Sequence, residues 1–231
     1  MVNEDPPRHT CIWPFIRWPD ADTVLIIDCI GATRRELVGR ERAQANEMTV
    51  GRRREFAASR ALARQALALL GESSNPEIPI GSGGEPLWPV NFVGSLSHTA
   101  THVAALVARA TGHASVGVDL DDGRLLGAAA ARDLMTESEV DAVLAQGWTA
   151  DAEIARNLAF VAKEALFKYQ YPLTGFQELE FDDVRLQRTE AELSASTQIE
   201  EANLRAIITN GVLFYEEIQD LRVCWVISRP R

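Results

Sequence analysis

Short apolar runs and long amphipathic stretches take turns along this chain. Val24-Leu-Ile-Ile-Asp-Cys-Ile30 is rich in β-branched residues and predicts a buried strand. The spacing from about Glu41 to Leu70 predicts one long helix, with Gly71 as its C-terminal stop. Residues 71–91 are dense in Gly, Pro, Ser and Asn and read as loop. His102–Ala108 and Ser115–Leu120 read as strands on either side of a turn at Thr111-Gly112. Thr136-Glu-Ser-Glu139 has the form of a capping box, starting a short helix that ends near Gly147. A second long helix is predicted from roughly Asp151 to Tyr169, stopping before Pro172. Strands are expected at about 177–187, 204–209, 212–218 and 222–228, with Asn210-Gly211 as a type I′ hairpin turn. Residues 1–20, rich in Pro and Trp, are expected to run irregularly.

Composition places this pattern in the soluble globular class, at 46% hydrophobic and 24% charged residues. No apolar run approaches the ~18 residues of a membrane span. The N-terminal Met1-Val-Asn-Glu-Asp-Pro-Pro has neither the basic nor the apolar region of an export signal. Cys11, Cys29 and Cys224 are scattered and odd in number, as free thiols in a reducing compartment would be, so a cytoplasmic protein is expected. The four histidines form no zinc spacing with them. A net charge of −10 argues against general nucleic-acid binding.

The charge is nevertheless uneven. Seven arginines (40, 42, 52, 53, 54, 60 and 64) face only Glu41, Glu47 and Glu55 in one stretch, a basic island suited to a specific anion. Two of Arg52, Arg60 and Arg64 could clamp one phosphate, because guanidinium forks match phosphate bidentately. Arg53 and Arg54 read as a solvated surface run.

Of 23 basic side chains only Lys163 and Lys168 are lysines, and both fall in Phe160-Val-Ala-Lys-Glu-Ala-Leu-Phe-Lys168. Arginine does not give up its proton, whereas the lysine ammonium titrates readily with its surroundings. A chain this committed to arginine that keeps lysine here calls for a proton donor or a point charge at this place. Helical spacing puts Phe160, Glu164, Phe167 and Lys168 on one side. A Glu164–Lys168 ion pair on a solvated face is the plain alternative. Asp119 and Asp121 end an apolar strand two residues apart, so both carboxylates share a face and suit a hard divalent cation; a solvated strand end is the competing explanation. The following Asp122-Gly123 does not complete an EF-hand loop. Gly94-Ser-Leu-Ser-His98-Thr99 lacks the spacing of a serine-hydrolase elbow, and its hydroxyls and histidine suit phosphate contacts or a satisfied turn.

Together these pieces resemble the 4′-phosphopantetheinyl transferases of the surfactin/enterobactin component D type. The resemblance runs from about Arg52 to Val184. Its motifs stand here as Gly117-Val-Asp-Leu-Asp121, Lys163-Glu-Ala-Leu-Phe-Lys168 and Ser97-His98-Thr99, the last preceded by Gly84-Glu-Pro-Leu-Trp-Pro89. Three departures stand out: Asp121 where glutamate is frequent, Val161 in place of a small polar residue, and Gly83 where some relatives carry a phosphate-facing lysine.

The resemblance implies that Asp119, Asp121 and Glu164 hold Mg²⁺. It implies that Arg52, Arg60, Ser97, His98 and Lys163 contact coenzyme A, and that Glu164 and Lys168 are catalytic. It implies a monomeric α+β protein of two pseudo-symmetric α/β halves, residues 1–113 and 114–231. Each half is a small, mainly antiparallel sheet packed on a long helix, with the active site in the cleft between them. A weak echo between the Phe56–Gly71 and Phe160–Gly175 stretches points to the same division. The implied reaction moves the phosphopantetheine arm of coenzyme A to a serine of an apo carrier protein and releases 3′,5′-ADP. The carrier would belong to a nonribosomal peptide, polyketide or fatty-acid synthase, in siderophore, secondary-metabolite or lipid biosynthesis. A non-catalytic coenzyme A or carrier-binding module and a metal-dependent nucleotide phosphohydrolase are the alternatives.

Overall fold

A computed structural model describes residues 14–31, 36–123, 134–175, 179–190 and 192–229. The described residues form an α+β fold with five α-helices and small antiparallel sheets. Strands β1 (Phe15–Asp20), β2 (Thr23–Cys29), β3 (Phe92–His98) and β4 (His102–Arg109) make a four-stranded sheet in the order β1-β2-β4-β3. Strands β5 (Val116–Asp121), β8 (Gly211–Ile218) and β9 (Leu221–Ser228) make a second, ordered β5-β9-β8, and β6 (Val184–Arg188) pairs with β7 (Leu193–Thr197). The helices are α1 (Arg40–Asn46), α2 (Val50–Leu69), α3 (Glu137–Gln146), α4 (Ala152–Thr174) and α5 (Ala202–Asn210).

Strand alternation stacks these elements in four layers. On β2 and β4, Val24, Ile26, Val103, Ala105 and Val107 pack against Leu62 and Ala66 of α2. The intervening Leu25, Ile27, Ala104 and Leu106 face the other way and meet Val116, Val118, Val223 and Trp225 of the second sheet. The far side of that sheet carries α4. Both sheets therefore bury two faces, which explains why β2 and β4 read as continuous apolar runs.

Gly117 sets the distance between β5 and α4. A Cβ at this position would lie 1.9 Å from the Ala165 carbonyl oxygen and 2.8 Å from the Tyr169 backbone nitrogen. Only a residue without a side chain lets the strand lie this close to the helix. Period two then turns Asp119 and Asp121 toward α4 as well. The other edge of β5 has no strand partner in its sheet. Its Val118 and Leu120 N–H groups donate instead to the hydroxyls of Ser95 and Ser97 on β3, at 3.1 and 3.3 Å. The edges of the two sheets are thus joined through serine side chains.

Several expected elements take another form. Part of the irregular N-terminal stretch is strand β1, and residues 1–13 lie outside the described set. The long helix expected from Glu41 breaks at Thr49, whose extended backbone and hydroxyl cap α2 by accepting from Arg52 N–H. Helix α4 runs through Pro172 to Thr174, with left-handed Gly175 as its cap; a proline in the last turn removes a donor where the ladder is already ending. The 204–209 segment is helix α5 rather than a strand, because Leu204 and Ile208 supply a buried i, i+4 pair and Glu201 caps Leu204 N–H. No hairpin turn therefore exists at Asn210-Gly211; β8 and β9 turn at Gln219-Asp220, with Gln219 at φ 57°. The strand expected at 177–187 is a 3₁₀ turn at Phe181–Asp183 followed by β6, while residues 176–178 lie outside the described set. Glu139 accepts from the Thr136 N–H at 2.8 Å, as the capping-box spacing predicts. Among the described residues no helix is long and apolar enough to cross a membrane.

Candidate active site

Helix α4 brings the lysine segment up to the acidic strand. Lys168 Nζ reaches Asp119 Oδ1 at 2.5 Å and the Val118 carbonyl oxygen at 3.3 Å. The lysine thus bonds across to β5, and the simple Glu164–Lys168 helix pair is not the arrangement formed. Ser97 donates to the same Asp119 oxygen at 2.6 Å while accepting from Leu120 N–H. Asp119 Oδ2 takes no hydrogen bond from the described residues. Glu164, one helical turn before Lys168, is half-buried and likewise receives no hydrogen bond from the described residues. Burial raises its pKa above the usual carboxylate range; the Lys168 charge opposes this and the Asp119 charge adds to it. Two adjacent carboxylates with unfilled oxygens, one penalised for its charge, have the chemistry that a hard divalent cation relieves. Asp121 stands two residues on, but its Oδ2 is paired with Arg222 Nη1 at 2.9 Å. Among the described residues no group of three or more His, Cys, Asp or Glu side chains is gathered as metal ligands.

The first turn of α2 and the end of β3 supply the basic side. Arg52 Nη1 lies 2.9 Å from His98 Nε2 and 3.3 Å from Glu55 Oε2, and His98 Nε2 lies 3.1 Å from the same Glu55 oxygen. Burial lowers the His98 pKa, the Arg52 and Lys168 charges add to this, and Glu55 opposes it. About two turns further along α2, Arg60 is only 6% exposed. Its Nε donates to the Ile78 carbonyl at 2.8 Å and its guanidinium lies 4.2 Å above the Phe56 ring. Its pKa falls to about 10, chiefly through burial, with Arg52 and Arg64 pushing the same way and Glu41 opposing. No carboxylate among the described residues forms an ion pair with Arg60. Arg64, by contrast, is neutralised by Glu41 at 2.7 Å. A buried guanidinium that feels two more arginines and has no ion-pair partner among the described residues is suited to receiving an anion.

Two cavities open beside these groups. One, of about 300 Å³, is lined by His98, Thr99, Asp119, Asp121, Asn157 and Phe160. The other, of about 420 Å³, is mostly apolar, with Trp88, Val93, Leu96, Phe167, Lys168 and Tyr171 in its wall. The Lys168–Asp119 contact joins the walls of the two.

Two expected cofactor contacts have different partners. Lys163 is 3% exposed and points to the other side of α4, where it meets Glu139 Oε1 at 2.7 Å and the carbonyls of Phe181 and Leu134 at 2.9 and 3.2 Å. Residue 163 lies about 140° around the helix from 168, so one lysine faces the cleft and the other the core. Ser97 is 5% exposed and spends its hydroxyl on Asp119 and Leu120. In this arrangement it positions a carboxylate. Sequence reasoning missed two residues. Glu55 could have been found from its i, i+3 spacing to Arg52. Arg222 carried no local signal, since only strand register makes it the cross-strand partner of Asp121.

Comparison with known proteins gives this constellation a family. The model of the 4′-phosphopantetheinyl transferase N-terminal domain matches residues 40–108, and that of the 4′-phosphopantetheinyl transferase superfamily matches residues 115–219. The chain belongs to the 4′-phosphopantetheinyl transferase superfamily. It is 41% identical over 140 residues to the 4′-phosphopantetheinyl transferase Svp of Streptomyces mobaraensis, covering 57% of this chain and 53% of that protein. It is 38% identical over 138 residues to the transferase Npt of Nocardia iowensis, over 55% of this chain and 57% of the relative. The corresponding figures for PptT of Mycobacterium tuberculosis are 35% over 138 residues, 55% and 56%. The chain thus spans about half the length of the curated relatives it matches. The acidic strand β5 and the lysine helix α4 both fall inside the second matched segment.

Proposed function

We propose that this protein transfers the 4′-phosphopantetheine arm of coenzyme A to a serine hydroxyl of an apo carrier protein, releasing 3′,5′-ADP, with Mg²⁺ as cofactor. The observation that carries the reading is the convergence of Asp119, Glu164 and Lys168 near the basic side chains Arg52, Arg60 and His98. Asp119 and Glu164 would hold the ion, which when bound offsets charge on the diphosphate oxygens. Arg52 and Arg60 bind phosphate, Arg60 being assigned to the 3′-phosphate. His98, with its pKa lowered, donates or accepts a hydrogen bond without adding charge. Glu164, bound to the ion directly or through a water, takes the proton of the attacking serine. The serine oxygen forms a bond to the β-phosphorus as the bond to the departing 3′,5′-ADP oxygen breaks, and Lys168 protonates or stabilises that oxygen.

The finer architecture is part of the proposal. Residues 1–113 and 114–231 act as two pseudo-symmetric halves of a monomer, and the cleft between them holds coenzyme A. Each half having its own sheet and long helix supports this division. Carriers of nonribosomal peptide, polyketide and fatty-acid synthases all offer the required serine, in siderophore, secondary-metabolite or lipid biosynthesis. Incubation with coenzyme A, Mg²⁺ and a panel of apo carrier domains, followed by mass spectrometry, tests the reading. A carrier gaining one phosphopantetheine supports it. Coenzyme A binding with no carrier modified indicates a binding module, and cleavage of nucleotides by water alone indicates a phosphohydrolase.

A further inference from the structure

Asp121 differs from the other two acidic residues in how completely the protein occupies it. Its Oδ2 meets Arg222 Nη1 at 2.9 Å, and its Oδ1 accepts the Gly123 N–H at 3.0 Å. Asp119, by contrast, gathers Lys168 and Ser97 on one oxygen and leaves the other open. The Asp121–Arg222 pair is also enclosed, with side-chain exposures of 8% and 15%. Strand register builds it in: Asp121 stands directly opposite Arg222 where β5 pairs with β9. Glu217 lies at the outer limit of Arg222, 4.0 Å from Nε and more than half exposed, so it does not draw the guanidinium away. Burial works against the Arg222 charge, yet the hydrogen bond and charge of Asp121 outweigh it and raise its pKa.

We infer that Arg222 is a positioning residue that keeps Asp121 out of the metal coordination shell, leaving Asp119 and Glu164 as the two carboxylates that grip the ion. The inference rests on the transferase reading above. Breaking an enclosed, doubly hydrogen-bonded carboxylate away from its guanidinium leaves both charges uncompensated. Both Asp121 oxygens are already bonded, whereas Asp119 keeps Oδ2 open for the ion. Three carboxylates and the two cations Lys168 and Arg222 leave one net negative charge around the site. A divalent ion is then held weakly by the protein alone and firmly once a diphosphate adds its own charge.

The test is Mn²⁺ binding to the full chain without coenzyme A, followed by electron paramagnetic resonance of the free ion. Asp119→Asn is expected to weaken binding by at least about a hundredfold, since it removes a direct ligand with its charge, and Asp121→Asn by no more than about tenfold, since it removes only a shielded unit charge. Arg222→Met should tighten binding by up to about tenfold, by freeing one more shielded unit charge near the ion. The double variant Asp121→Asn/Arg222→Met leaves no lone buried charge, so it guards against misfolding of the single variants; it should bind as the wild type does. Equal losses for Asp119→Asn and Asp121→Asn, or lost binding in a folded double variant, overturn the assignment. If the wild type modifies a carrier while Asp121→Asn loses the ion, this inference fails and the transferase reading stands. If the wild type neither binds Mn²⁺ nor modifies a carrier, both fall.

Discussion

Replacing Gly117 by alanine tests how the site is built. The added Cβ would lie 1.9 Å from the Ala165 carbonyl oxygen, 2.8 Å from the Tyr169 nitrogen and 3.0 Å from the Ala165 carbonyl carbon, all of them α4 backbone. Backbone cannot rotate away as a side-chain end can, so β5 and α4 must separate by on the order of 1 Å to restore ordinary contact. Overpacking costs ~1–3 kcal/mol, and a clash against rigid helix backbone belongs at the upper end. For a chain of this size, ~3 kcal/mol lowers Tm by roughly 6–12 °C. The same displacement acts on function, because Glu164 and Lys168 flank Ala165 and Asp119 lies two residues from Gly117. The 2.5 Å Lys168–Asp119 contact should open, and a misplacement of ~1 Å in a catalytic group can cost ~10²-fold in rate. Thermal unfolding of the wild type and Gly117→Ala, with kcat for carrier modification, reads both effects. Gly51→Ala is the control: a Cβ there meets nothing within 4 Å, so a neutral or slightly raised Tm is expected. A Gly117→Ala protein with wild-type Tm and turnover would refute the reasoning.

Three further outcomes follow from the same geometry. Lys168→Arg keeps a cation beside Asp119 but removes a transferable proton, so kcat should fall by roughly 10²–10⁴ with little change in the Kd for coenzyme A; a near wild-type kcat would limit Lys168 to an electrostatic role. Lys163→Met strips the partner from fully buried Glu139 and should cost about 3–5 kcal/mol of stability by urea unfolding, whereas a well-folded variant with weakened coenzyme A binding would return Lys163 to the cleft. Burial works against the Glu139 charge, but hydrogen bonds from Lys163 and the N–H groups of Thr136 and Leu186 outweigh it and hold the carboxyl below its usual range. Its stabilising contribution is therefore present above the unfolded pKa of ~4.3 and lost as pH falls through the lower folded value; the stability gap between wild type and Glu139→Gln, measured across a pH series, should close toward strongly acidic pH and not toward neutrality.

What the sequence determined by itself was local chemistry and periodicity. The spacing of Asp119 and Asp121 puts both on one strand face, and the lysines confined to 163–168 mark the helix that meets it. The apolar run at 24–30 predicts a buried strand and that at 102–108 a strand, and both are strands with buried residues. Periodicity failed where two periods fit equally well. Ala206-Ile-Ile-Thr209 reads as a strand until Leu204 and Ile208 are seen packing on one core, and Thr49 breaks the first long helix only because its hydroxyl finds Arg52 N–H.

The tertiary structure alone decided partners. Spacing says which side of its own element a side chain occupies, not what stands opposite. Lys163 and Lys168 were equivalent as letters, and packing sent one to Glu139 in the core and the other to Asp119 in the cleft. Ser97 became a brace for Asp119 because two sheet edges meet without a shared ladder, and a hydroxyl fills the missing acceptor. Arg222 reached Asp121 through strand register across half the chain. A buried charge is stable only against a compensating one, and compensation depends on distances in space that no linear pattern encodes.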